Sequence, residues 1–187
     1  MVTIPSLWLP ILLSSVFVFI VSSIIHMLLP YHHSDFKKVA NEDEAMDALR
    51  KLNIAPGDYM IPCGGNAQAM KNPEFIAKME KGPVLTMTMM KSGKPAMGGI
   101  LVMWFLYSVI IGIFAAYVAT RAVAAGDYYL AVFRFVGVTA FAGYSLALLQ
   151  NSIWYKRNWC TTLKSMFDGL IYALVTAGTF GWLWPSM

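Results

Sequence analysis

Long apolar runs alternate along this chain with polar connections of very unequal length. Four runs approach or exceed what a bilayer needs, about 20 mostly apolar residues at about 1.5 Å rise each. They cover residues 6–29, 97–119, 128–149 and 169–184, the last short and extended by its pattern back to Thr162. The pattern predicts an all-α integral membrane protein: four transmembrane helices with a small α/β extramembrane insertion between helices 1 and 2. Residues 1–30 form the first helix, 31–96 the insertion, and 97–187 helices 2–4 with short connections. The opening MVTIPS has no Lys or Arg, and no A-x-A-like site follows the first run. That run therefore reads as a membrane helix and not as a signal peptide.

The insertion carries ordered signals of its own. In NEDEAMDALRKLN, Asn41 precedes Glu44 by three residues, a capping-box-like start. The acidic first turn and the closing Arg50 and Lys51 suit the helix dipole. NPEFIAKMEKG repeats the signs, with Asn72 as cap, Pro73 at the first helical position and Gly82 as stop. DYMIP and VLTMTMM read as short strands. The core available to such a unit is too small for independent stability.

Composition sharpens the class. Of 187 residues, 58% are hydrophobic and 13% charged, against roughly 25% charged in soluble domains. Basic residues set the expected orientation. The 31–96 connection holds nine of the 14 Lys and Arg, the connection after helix 3 holds Lys156 and Arg157, and the turn between helices 2 and 3 holds only Arg121. The expected location is the cell inner membrane, multi-pass, with both termini outside and 31–96 cytoplasmic. On that side Cys63 and Cys160 are expected to stay thiols, and their wide separation makes no zinc spacing.

Small residues recur every fourth position in three helices: Ser108, Gly112 and Ala116; Thr139, Gly143 and Ala147; Gly169, Ala173, Ala177 and Gly181. In lipid such stripes let backbones approach closely, within the chain or against a partner. Trp154, Tyr155, Lys156, Arg157 and Trp159 form an interfacial belt that fixes depth in the bilayer. Aromatic and basic residues at a membrane boundary do not point to nucleic acid. Arg134 is expected to snorkel, with Asp127 as a partner, and Asp168 to pair with Lys164 one turn earlier.

Candidate chemistry concentrates in HMLLPYHHSD, which holds all three histidines. Ser15, Ser22 and His26 share one face of helix 1, expected to look into the bundle. Pro30 then breaks the helix and leaves His32, His33 and Asp35 at the boundary. His26, His32, His33 and Asp35 are the candidate metal ligands. Imidazole and carboxylate suit zinc or iron, and Met27 would favour copper. The plainer expectation is a hydrogen-bonded His26 with solvated His32 and His33.

The chain has no GxSxG, Walker loop, dinucleotide-type GxGxxG or HExxH, so an enzyme is the less favoured class and no cofactor is assigned. The leading expectation is a small bacterial-type inner-membrane protein, an accessory or structural subunit of a larger membrane complex. Its partners would be the bilayer and other membrane subunits or itself. The alternative is a metal-binding or transport-related membrane protein using the His26/His32/His33 cluster.

Overall fold

The computed structural model describes residues 2–94 and 96–186, and the chain divides into two compact units. The first comprises Met1–Phe36 with Ala96–Met187, the second Lys37–Pro95. Residues 31–36, assigned to the insertion by their polarity, stay with the helical unit.

The helical unit contains α1 (Trp8–Leu28), α4 (Met97–Ala122), α5 (Tyr129–Ser145), the short α6 (Leu149–Ile153) and α7 (Trp159–Trp182). α1 packs on α4 and α7, and α5 packs on the same two helices, so the four long helices close into a ring. The α5–α7 pairing is the most extensive. Two apolar layers fill the interior. One joins Leu7, Ile11, Ala115, Ala119, Val132, Val136, Ala177 and Phe180. The other joins Val18, Ile25, Ile111, Ala140, Tyr144, Tyr172 and Ala173.

Three helical stretches are long and apolar enough to cross a membrane: Pro5–Leu28, Met97–Ala122 and Tyr129–Ile153. This is a multi-pass membrane protein, mostly helical, with a small two-stranded sheet. The expected fourth span does not reach the same apolarity. α7 is 24 residues long, but its first half carries Lys164 and Asp168. Thr161, Thr162, Asp168, Thr176 and Thr179 are all buried. Polarity inside the bundle is tolerated because the hydroxyls are satisfied locally. Thr176 donates to the Tyr172 carbonyl and Thr179 to that of Val175, each at 2.8 Å. Thr162 pairs with Ser152, also at 2.8 Å.

The second unit contains α2 (Glu42–Lys51), β1 (Gly57–Ile61), α3 (Pro73–Lys81) and β2 (Leu85–Met89). The strands are antiparallel, with Gly57 opposite Met89 and Ile61 opposite Leu85. Asn72 caps α3 by accepting the Glu74 N–H at 2.9 Å, and Gly82 ends it at φ 61°, a left-handed conformation that suits glycine. The other cap differs from expectation. The Asn41 side chain donates to the Glu44 carboxylate at 3.1 Å and makes no bond to the α2 backbone. No residue of these four elements is buried.

Candidate metal centre at the end of the bundle

Pro30 shapes this end of the molecule. It has no N–H to continue α1, and it holds the preceding Leu29 extended, at φ −92° and ψ 131°. The chain then folds back as a single 3₁₀ turn over Pro30–Ser34. That turn sets Tyr31, His32 and Asp35 against α7 and keeps them close to His26 in the last turn of α1.

His32 is the hub. Its Nδ1 lies 2.7 Å from Asp35 Oδ2 and its Nε2 lies 2.8 Å from Asp168 Oδ2. The other Asp168 oxygen accepts the Tyr31 hydroxyl. Lys164, one turn before Asp168, donates to the Tyr31 carbonyl at 2.5 Å, to Ser34 Oγ at 2.7 Å and to Asp35 Oδ1 at 3.1 Å. Three donors meet three acceptors, which saturates the ammonium. Burial works to raise the Asp35 carboxyl, but hydrogen bonds from His32 and Lys164 hold it below the usual carboxylate range. Burial and the Asp168 carboxylate push the Tyr31 phenol upward.

His26 is differently placed. Its ring lies 4.6 Å, centroid to centroid, from that of His32. Its only hydrogen-bonding neighbour among the described residues is Tyr172, whose hydroxyl stands 3.5 Å from Nε2. That distance is at the limit of a hydrogen bond, so Tyr172 holds His26 only weakly. His26, His32 and Asp168 each present one ligand atom, and the three atoms lie within 4.8 Å of one another. An ion with bonds of about 2.1 Å needs its ligand atoms about 3.4 Å apart. An ion would therefore have to draw the wider-spaced atoms together and part His32 Nε2 from Asp168 Oδ2, which stand 2.8 Å apart.

The structure thus regroups the residues singled out by sequence. His26 and His32 come together; His33 is exposed and stands outside the group. Asp35 binds the far nitrogen of His32 and stands outside the ligand set. Two expectations are corrected. His32 is not solvated, its side chain being 13% exposed, because the proline turn folds it onto α7. His26 does not face the interior: Ser15 and Ser22 are buried, but His26, a further turn along α1, is exposed. Asp168, which the sequence presents only as a partner of Lys164, completes the site. Lys164 instead pairs with Asp35, because the fold-back turn brings a second carboxylate within reach. The one available signal was a carboxylate adjoining a small-residue stripe.

The stripes pack largely within the chain. Ser108, Gly112 and Ala116 are buried, and a Cβ at Gly112 would stand 3.6 Å from the Ile11 carbonyl oxygen. Gly169, Ala173 and Ala177 are buried, with Gly169 against Tyr144 and Ser145 and Gly181 against Tyr129. The α5 stripe is displaced by one position. Its buried face is Val132, Val136, Ala140 and Tyr144, leaving Thr139 and Gly143 half-buried and Ala147 exposed. Gly143 still meets Ile111. Trp154, Tyr155, Lys156 and Trp159 are exposed and Arg157 half-buried. Asp127 accepts the Ala124 N–H at 2.7 Å, and its pairing with Arg134 is not among the ion pairs of the described residues. Cys63 and Cys160 are free and exposed.

No protein-family model, curated protein or solved structure matches this chain. The class is therefore defined by the molecule itself: a multi-pass membrane protein with a histidine–carboxylate cluster where α1 meets α7.

Proposed function

We propose that this chain is a metal-binding membrane protein, with a divalent transition metal held by His26, His32 and Asp168. One observation carries the reading: two imidazoles and a buried carboxylate from distant parts of the chain converge within 4.8 Å. Two nitrogens and one oxygen suit zinc or iron(II) better than a soft-metal site. Three protein ligands leave coordination positions open, as in sites that act on a bound ligand more than in purely structural ones.

The topology we propose keeps four spans, with α7 crossing alongside the three more apolar helices. Its buried polar residues are supported by a bundle that shields them from lipid. The basic connections favour a cytoplasmic 31–96 with both termini outside, in an inner membrane of bacterial type. The metal would then lie at the cytoplasmic boundary. An accessory or structural subunit of a larger complex is the other reading. The small-residue stripes lend it little support, since Gly112, Gly143 and Gly169 lie against Ile11, Ile111 and Tyr144 of the same chain.

The test is elemental analysis of full-length protein purified in mild detergent without a histidine tag. One zinc or iron per chain is expected, lost in His26→Ala and in Asp168→Asn. Wild-type protein from metal-replete cells that contains no metal, and takes up none on addition of zinc or iron(II), would overturn the reading.

A further inference from the structure

The hydrogen bonds on the far side of His32 decide how well its imidazole can serve as a ligand. An imidazole binds a metal through one nitrogen, and the partner of the other nitrogen fixes the tautomer and the ring plane. Asp35 occupies that second place, 2.7 Å from Nδ1, while Nε2 points at Asp168. Nε2 lies 2.8 Å from the Asp168 carboxylate, which can only accept, so a cation would displace the Nε2 proton; with Nδ1–H donated to Asp35, the freed Nε2 lone pair would face the space shared with Asp168 and His26. Asp35 is itself held. Its second oxygen receives the Lys164 ammonium, 3.1 Å away, and its side chain is only 8% exposed. Lys164 is in turn anchored by the Tyr31 carbonyl and Ser34 Oγ, the turn that carries His32.

Resting on the metal-binding reading, we infer that Asp35 and Lys164 are positioning residues: a carboxylate–ammonium pair that fixes the tautomer and ring plane of His32 without touching the ion. The arrangement has a directional logic. Lys164 and Asp168 lie on adjacent turns of α7, so one helix supplies both a metal ligand and the clamp on the opposing ligand. A shift of the Pro30–Ser34 turn along α7 would loosen both together. Charge also balances locally. Lys164 neutralises Asp35, which leaves Asp168 as the one carboxylate available to the cation.

The experiment titrates cobalt(II), as a spectroscopic probe, and zinc(II) into the metal-free full-length protein in detergent. Visible absorption reads the cobalt site and calorimetry reads zinc affinity. Asp35→Asn should weaken both ions by about 10- to 100-fold, the usual effect of losing such an outer partner. Stoichiometry at saturation should stay at one ion, with a shifted cobalt spectrum. Asp35→Glu should recover part of the affinity. Lys164→Met, which leaves Asp35 in place, should weaken binding less than Asp35→Asn. Metal-free helicity, measured alongside, identifies any variant that has lost its fold; Lys164→Met then carries the test. Wild-type protein that binds one ion, with Asp35→Asn and Lys164→Met within twofold of it, would overturn this inference and leave the metal site standing. Wild-type protein that binds no ion would overturn the metal site and this inference with it.

Discussion

The Lys164 ammonium reaches from α7 to the Asp35 carboxylate, 3.1 Å from Nζ to Oδ1. Lys164 is 22% exposed and Asp35 8%, so solvent screens this pair far less than a surface one. Removing the lysine leaves a partly buried carboxylate without its cation and frees the Tyr31 carbonyl. Lys164→Met should therefore cost about 2 kcal/mol, within the range for orphaning a buried polar group. At about 2–4 °C per kcal/mol for a chain of this size, the detergent melting temperature should fall by roughly 4–8 °C. An unchanged melt would remove the pair from the account of stability.

Close approach of α5 and α7 rests on Gly169. A Cβ there would collide with Ser145 Oγ and stand 3.2 Å from the Tyr144 Cβ. The Ser145 hydroxyl can rotate away only by giving up its hydrogen bond to the Met166 carbonyl, and the Tyr144 Cβ is fixed to the α5 backbone. Gly169→Ala should cost about 1–3 kcal/mol of overpacking. Leu174, 47% exposed on the same helix, serves as the control, and Leu174→Ala should be nearly silent. Equal melting temperatures for the two variants would show that the helices tolerate separation.

Trp104 of α4 donates its indole N–H to Ser22 Oγ of α1 at 2.9 Å. Interhelical hydrogen bonds in membranes average only about 0.6 kcal/mol by double-mutant cycle. Replacing Trp104 by Phe and Ser22 by Ala, singly and together, should give a coupling energy of that order. A coupling above about 2 kcal/mol would mark the bond as a main fastener between α1 and α4.

Cys63 and Cys160 report on topology. Two spans, α4 and α5, separate them, so counting the three most apolar helices places both on one side. With that side cytoplasmic, a membrane-impermeant thiol reagent should leave both unlabelled in intact cells and label both after lysis; each is exposed and free. Labelling of either before lysis would reverse the orientation.

Sequence made some elements readable and concealed others for physical reasons. α1, α4 and α5 announce themselves because most of their surface is left for lipid, which requires continuous apolar residues. α7 hides its extent because its buried face carries threonines bonded to their own helix, and these look polar in any sliding window. α3 could be bounded to the residue from Asn72, Pro73 and Gly82, since cap chemistry is local. α2 kept its bounds although its Asn41 side chain turned to Glu44. Half of the site was equally local, His26 and His32 lying six residues apart across a proline. Its other half was not. Asp168 meets His32 across 136 positions, and no spacing rule spans two helices whose pairing is settled only by packing. The α5 stripe slipped for a related reason: Thr139, Gly143 and Ala147 are small, but the valines and Tyr144 one position along fill the core.

On the four-span topology proposed above, a helix such as α7 would be an awkward passenger for the machinery that threads nascent chains into lipid. A charge costs roughly 2.5–3.5 kcal/mol to insert at the middle of a lone helix and less toward its ends, and both Lys164 and Asp168 lie in the half of α7 that precedes its apolar run. Their partners, Asp35, His32 and Tyr31, belong to the segment that trails the first helix, which leaves the ribosome long before α7 does. Entry of the last segment is thus favoured when the earlier hairpin is already assembled and waiting. Order of synthesis becomes part of the fold: a chain permuted to begin with α7 would present those charges to hydrocarbon before anything existed to receive them.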